Sequence, residues 1–377
     1  MLLKYWHTKA EIKAWTITIR EGAKMAVRES VLGKLQDGTE VKRYTLTNGN
    51  GTEASFTNLG GIWLSMLVKD KEGKTRDVVL GVDSVDMLLE NPGHMGEPVG
   101  RNANRIGGAS FLINGKEYEL QKNDNDKNNL HSGPDYWRKR IWDAEYDNAG
   151  LGSYVMFSIQ SPDGDQGFPG NADISVTYTL SEDDSLEIRY RGTADQDTVF
   201  NMTNHAYFNL SGYDSGDATD QIVWINASRY TPADSESIPY GTIDSVQGTP
   251  MDFTSPKPIK RDIGSNFGQL NFAGGFDHNW VLEDYDGSVR LAATAFSVES
   301  GIKMSVYTDL PGIQFYTGNY MNSDFEGKNG VHFGPRHGYC FETQYYPDCL
   351  HKADWPTSVV KAGEEYDTTT IYKWEVK

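Results

Sequence analysis

The amino-acid sequence predicts an all-β fold, a large antiparallel β-sandwich of one continuous domain. Three observations carry this prediction. Apolar and polar residues alternate along many segments, the chain holds 39 glycines and 21 tyrosines, and helical periodicity is scarce. Alternation of period 2 marks a half-buried strand, tyrosine suits a pleated surface, and abundant glycine implies many turns.

Taken in order, the elements read as follows. Ser84 is placed to cap a short helix through Leu89. Phe111-Leu112-Ile113 and Tyr118-Glu119-Leu120 flank Asn114-Gly115, a hairpin signal. Val155, Phe157 and Ile159 alternate with more polar neighbours. Ala172, Ile174, Val176, Tyr178 and Leu180 alternate with Asp173, Ser175, Thr177 and Thr179. Ser181 to Ser185 turn the chain, and Leu186, Ile188 and Tyr190 resume the pattern, so an antiparallel hairpin is expected. Ile302, Met304 and Val306 repeat it. No internal repeat, low-complexity tract or Pro/Gly/Ser linker interrupts the chain.

Composition narrows the function. Hydrophobic residues are 38% of the 377, enough for a sizeable core. Lys plus Arg number 35 against 53 Asp plus Glu, a net charge of −18. Such a surface repels nucleic acid and anionic membrane, whereas a neutral sugar meets no objection. Cys340 and Cys349 are the only cysteines, too few for a disulfide framework. No apolar run is long enough to span a membrane, and the charged first 26 residues do not read as a signal peptide. A cytoplasmic protein is expected. Residues 1–24 read as an N-terminal extension, with Met25 near the natural start, and 25–377 as the sandwich domain.

Several motifs fail. Gly73-Lys74-Thr75 would need a glycine at Val68 to end a phosphate-binding loop. His337, Cys340, Cys349 and His351 match no common zinc spacing. No G-x-S-x-G elbow is present. Five other segments concentrate unusual polar residues. Gly100-Arg101-Asn102-Ala103-Asn104-Arg105-Ile106 offers a fan of hydroxyl-binding donors. Asn128-Asn129-Leu130-His131-Ser132-Gly133-Pro134 is a turn bearing an imidazole. In Phe200 to Leu210 a strand would place Asn201, Thr203, His205 and Tyr207 on one wet face. Gly274-Gly275-Phe276-Asp277-His278-Asn279-Trp280 is a glycine-rich entry to Asp-His-Asn. Gly312 to Asn319, with Gln314, accompanies Phe341-Glu342-Thr343-Gln344, where a carboxylate sits among aromatics. Burying a lone carboxylate is costly, so Glu342 is a candidate for a paired or catalytic group. Each segment alone has an ordinary structural reading: a solvated loop, a core histidine, a turn cap. Together, a base, two imidazoles and Arg, Asn, Gln and Asp partners suggest acid–base chemistry on a neutral polyol. The residues themselves lead to a carbohydrate-binding or carbohydrate-modifying protein.

With these motifs in order, the chain resembles the galactose mutarotase (aldose 1-epimerase) family. The stretches GRNANRI, NNLHSG, NMTNHAYFNL, GGFDHNW, GIQFYTGN and FETQYYPD carry the resemblance, from about Tyr44 to Gly363-Glu364-Glu365-Tyr366. It implies a β-sandwich whose curved sheet holds a monosaccharide such as galactose or glucose. It implies Glu342 as general base at the anomeric hydroxyl, His205 as general acid at the ring oxygen, and His131 beside the same oxygens. Asn104, Arg105, Asp277 and Gln314 would hold sugar hydroxyls. Ring opening and reclosure by such a pair needs no cofactor and no metal. Ser132 stands where the family often has Gly, and His351 where it often has Asn. Other readings are a hexose 6-phosphate epimerase, which would need a cationic pocket, and a non-catalytic sugar-binding protein, which could lack the acid or base. A lyase or hydrolase is more remote, with only Glu342 and Asp277 as paired carboxylates.

Overall fold

The computed structural model describes residues 26–147, 152–321 and 326–377. The expected extension, 1–24, lies outside them. The chain is built almost wholly of antiparallel strands, as expected. A nine-stranded sheet runs in the order Asp143–Asp147, Gly152–Ser161, Ala172–Ser181, Ser185–Ala194, Glu365–Val376, Ile302–Thr308, Arg290–Phe296, Ile222–Ile225, Lys257–Pro258. A six-stranded sheet runs Tyr207–Phe208, Tyr339–Gln344, Gly312–Tyr316, Asp277–Val281, Arg229–Thr231, Asp244–Ser245. A five-stranded meander from Ala26–Lys34 to Thr75–Asp77 completes the large sheets.

Local signals explain individual elements. The hairpin of Ala172–Ser181 and Ser185–Ala194 pairs Tyr178 with Ile188 and Val176 with Tyr190, so its buried residues fall on one face. Asn114 (φ 54°) and Gly115 (φ 78°) turn the Ser110–Ile113/Lys116–Glu119 hairpin, the left-handed pair a tight two-residue turn needs. Ser84 caps the helix Val85–Glu90, its Oγ accepting from the Met87 N–H at 3.3 Å. The longest strand, Glu365–Val376, buries Tyr366, Thr368, Thr370, Tyr372 and Trp374 in strict alternation. The same alternation is present in the sequence.

One expectation needs correction. Residues 200–210 do not form a continuous strand. Thr203–Asn204 pairs with Pro98–Val99, and Tyr207–Phe208 pairs with the Tyr339–Cys340 end of its neighbour. The chain breaks between them at His205-Ala206. Asn201 does not face the site; its side chain clamps the Tyr345 backbone, with Tyr345 N–H donating to Oδ1 at 2.9 Å.

The sheets share one core. Phe56 of the meander stacks on Tyr178 at 4.1 Å between ring centres. The six-stranded sheet meets the nine-stranded one through Phe341 and Thr343. Tyr372 Oη donates to the Phe341 carbonyl at 2.8 Å, and the Thr343 and Thr370 hydroxyls bond at 2.5 Å. Phe315 and Phe341 are fully buried and stack at 5.2 Å. Burying each such side chain stabilises by about 1.5–3 kcal/mol. That contact fixes the dry face of the sheet and, because side chains alternate, the wet face as well.

Candidate active site

The wet face is set by register. Asn279 lies opposite Gln314, and Gln314 opposite Glu342. Asp277 and Gln344, two residues along, share that face. The intervening Trp280, Phe315 and Phe341 fill the core. An amide relay crosses the face. Gln344 Nε2 donates to Gln314 Oε1 at 3.2 Å, and Gln314 Nε2 donates to Asp277 Oδ1 at 2.8 Å. Two motifs meet behind it. A Cβ on Gly275 (φ 149°) would lie 2.3 Å from Asn319 Oδ1, so only glycine admits this contact. Asn319 Nδ2 in turn bonds the Ala273 and Phe276 carbonyls at 3.0 Å.

Over this face the other motifs form a wall. Leu130 pairs with Arg105 and Asn129 with Ile106. The Ser132 hydroxyl accepts from the Asn102 N–H at 2.9 Å and donates to the Asn102 carbonyl at 3.0 Å. The serine that departs from the family pattern thus ties the two loops together. Asn104 (φ 59°) and His131 (φ 54°) also bind reciprocally. The His131 N–H donates to the Asn104 carbonyl at 3.0 Å, and the Asn104 N–H donates to His131 Nδ1 at 3.1 Å. His351, the other departure, contacts Asp348 Oδ1 at 2.6 Å, the same oxygen that accepts from the Gly107 N–H.

Between wall and face lies a cavity of about 280 Å³. Its lining includes Asn104, Arg105, His131, His205, Asp277 and Glu342. Gln314 stands behind Asp277 rather than in the lining. Arg101 is not part of the site, contrary to the donor fan read from its motif. It is fully buried, and its guanidinium donates to Ser161 and to the carbonyls of Ser161, Pro169 and Gly170 at 2.8–3.0 Å. It has no donors left for a ligand there, and burial lowers it to about 10. Asn102 is likewise structural. The reading missed His94, which lines the cavity from the Pro92-Gly93-His94-Met95-Gly96 turn. A histidine between glycines, with Glu97 three residues on, was the available signal. Tyr316 and Tyr320 add aromatic surface.

The centre of the site is acid–base in character. His205 Nε2 lies 3.8 Å from Glu342 Oε1. The other Glu342 oxygen, Oε2, is buried with no protein partner. His205 Nδ1 is taken up by Cys340 Sγ at 3.5 Å, so Nε2 is its free nitrogen. Burial, reinforced by Asp277, raises the Glu342 carboxyl well above its usual range, against an opposing pull from Arg105. Burial, then His94, lowers His205 to about 3. Burial also lowers His131, helped by His94 and His205. Asp277 is raised by burial, with Arg105 and Gln314 pulling the other way. A low-dielectric pocket disfavours each charge singly, so both members of the Glu342–His205 pair are pushed toward their uncharged forms. Arg105 is the cation of the lining, and its Nε already donates to Asp124 at 3.0 Å.

Among the described residues, the ligating atoms of His131, His205 and Glu342 lie within 4.8 Å of one another. The hydrogen bonding argues against a metal there. A neutral imidazole whose Nδ1 accepts an N–H keeps its proton on Nε2, so His131 has no lone pair to offer. Cys340 and Cys349 are free thiols in separate apolar clusters, and the histidine–cysteine set excluded by spacing does not assemble.

Comparison with known proteins agrees with this geometry. A family model described as aldose 1-epimerase matches residues 42–373. The galactose mutarotase of Bos taurus is 37% identical over 352 residues, 93% of this chain and 99% of that protein. The aldose 1-epimerase of Haemophilus influenzae is 36% identical, covering 90% and 97%. Among solved structures, the galactose 1-epimerase of Lactobacillus acidophilus superposes with a TM-score of 0.82 at 25% identity, covering 94% and 99%.

Proposed function

The chain belongs to the aldose 1-epimerase family, and from that premise we propose that Glu342 and His205 move the protons of its reaction. It is an isomerase that interconverts the α and β anomers of a free hexose. Opening the ring removes a proton from O1 and delivers one to O5. Glu342 takes the first and His205 supplies the second. The pair needs one shared proton, and the two opposed shifts provide that count. Sugar hydroxyls donating to Glu342 favour its carboxylate, so the carboxyl gives up its proton to His205, 3.8 Å away, and is left free to accept the O1 proton. Rotation about C1–C2 presents the other aldehyde face, and the same pair closes the ring in reverse. His131, with its proton on Nε2, donates to the developing oxyanion. Asn104, Arg105 and Asp277 hold hydroxyls, and Gln314 holds Asp277.

The observation that carries this reading is the buried, unpartnered Oε2 of Glu342 beside His205. A purely structural carboxylate at 2% exposure would be fully bonded. Galactose or glucose is the proposed substrate. A phosphorylated hexose would meet two carboxylates and an already paired arginine, which disfavours it. Nucleic acid and membrane are not expected partners. A cytoplasmic location belongs to the same proposal and suits two free thiols. Glu342→Gln tests the assignment by polarimetry on freshly dissolved α-galactose, corrected for spontaneous mutarotation. Near-full turnover would end it.

A further inference from the structure

The cavity holds a third imidazole that the acid–base chemistry does not use. His94 sits in a turn that is over-determined by its neighbours. Asn91 Oδ1 accepts from the Met95 N–H at 3.0 Å, and Asn91 Nδ2 donates to the Met95 carbonyl at 3.0 Å. This holds His94 at φ 57°, a left-handed conformation that a β-carbon opposes. The ring is fixed as firmly as the backbone. Its edge rests on Tyr136 at 4.8 Å, and its centre lies 5.1 Å from His131 and 5.8 Å from His205. Behind it stands a buried ion pair, Arg138 to Glu97 at 3.1 Å, with side chains 8% and 4% exposed. Glu97 Oε2 lies 3.1 Å from His94 Nδ1.

These contacts settle the polarity of the ring. Two groups face His94 Nδ1: Glu97 Oε2 at 3.1 Å, which can only accept, and Arg138 Nη1 at 3.3 Å, which can only donate. Arg138 Nη1 already donates to both Glu97 oxygens, at 3.1 and 3.4 Å, and the carboxylate is the nearer neighbour, so we assign the proton to His94 Nδ1, donating to Glu97. The lone pair is then on Nε2, the nitrogen left for the cavity. His131 is the opposite case. Its Nδ1 accepts from Asn104, so its Nε2 carries a hydrogen. Two adjacent imidazoles therefore offer one acceptor and one donor. A hydroxyl group needs both: an acceptor for its hydrogen and a donor for its oxygen.

We infer that His94 is a specificity-determining residue whose Nε2 accepts the hydrogen of one sugar hydroxyl while His131 donates to the same oxygen. Glu97 is its positioning residue, fixing the tautomer. The inference rests on the assignment of this cavity to the hexose. It makes His94 a reader of a single hydroxyl rather than a general contributor to rate, and that difference is measurable.

The test compares galactose with its 2-, 3-, 4- and 6-deoxy analogues, as initial mutarotation rates for the wild type and His94→Phe. The wild type should prefer galactose over one analogue by roughly tenfold to a hundredfold in kcat/KM, the scale of one buried polar group left unpaired. His94→Phe should bring that one ratio close to unity and leave the other ratios alone. Glu97→Gln turns an acceptor into a donor toward His94 Nδ1, reverses the tautomer and should erase the same ratio. It serves if His94→Phe does not fold. Slowing of every sugar by a common factor, or ratios all unchanged, overturns the inference. Glu342→Gln run alongside separates the two claims: full turnover there sinks the catalytic assignment, whereas uniform slowing with that variant inactive sinks only the role of His94.

Discussion

Glu342 reaches His205 across a single ladder step, because Cys340, two residues before Glu342, pairs with Tyr207, two residues after His205. The acid and the base are thus mounted on paired segments, and their 3.8 Å separation is a property of the sheet edge. His205→Asn and Glu342→Gln should each slow turnover about a hundredfold to ten-thousandfold. The double variant should cost less than the product of the two, because both act in one proton relay. Full multiplicativity in corrected polarimetric rates would show that the two groups act independently.

The pH profile should be unusual for a histidine enzyme. His205 gains its second-state proton only near pH 3, and Glu342 keeps its proton well above the usual carboxylate range. The pair therefore carries one proton across a wide interval. kcat/KM should stay level as pH falls through the ordinary histidine range and decline on the alkaline side as Glu342 ionises. An acid limb centred near pH 6.5, with folding intact by fluorescence, contradicts the shared-proton account.

Gln314 should act through Asp277. Replacing it with leucine removes the 2.8 Å bond and leaves an oxygen of the half-buried Asp277 carboxylate without its donor, a loss of about 1 kcal/mol. The expected effect is a raised KM for galactose with kcat much less altered. A fall in kcat at constant KM would place Gln314 closer to the chemistry.

Chelators should leave the rate unchanged. The Asn104 N–H on His131 Nδ1 opposes metal ligation by that ring. Activity lost to a chelator and restored by added zinc, measured on the same preparation, would require a different tautomer at His131.

A stability test lies away from the site. Both Asp309 oxygens accept from the Thr369 N–H, at 3.1 and 3.0 Å, yet burial raises this carboxyl from 3.8 to about 6. Its folded value exceeds its unfolded one. The advantage of the protonated form is complete below about pH 3.8 and is lost as pH rises through 6. Asp309→Asn keeps an acceptor without the charge. It should be more stable than the wild type at pH 8, by about 1 kcal/mol once partial exposure is allowed for, and roughly equal at pH 4. Urea midpoints at the two pH values decide this, and a less stable variant at pH 8 contradicts it.

The parts legible in sequence are those whose partners are neighbours in a strand. Alternation alone puts Gln314 and Glu342 on the faces opposite Phe315 and Phe341, so the wet side of the sheet could be read directly. Arg101 and Arg105 show where this ends. They look alike in one motif, but the chain bends between them, sending the first into carbonyls of residues 161–170 and the second to the cavity. His205 was read on a strand that actually breaks there, since its position depends on Pro98–Val99 and Tyr339–Cys340. His94 had only the local signal of Glu97 three residues on, because the Arg138 that holds Glu97 in place is connected to it by no local pattern.

The cavity face and the core face are two sides of the same three strands, joined residue by residue. A slip of one residue in the Gly312–Tyr316 ladder would turn Ile313 and Phe315 outward and bury Gln314. No intermediate arrangement keeps one face and loses the other. Asp277, Gln314 and Glu342 should therefore keep their places until the sheet itself melts. His131, in a turn, and His205, at a break between strands, are the groups that heat displaces first.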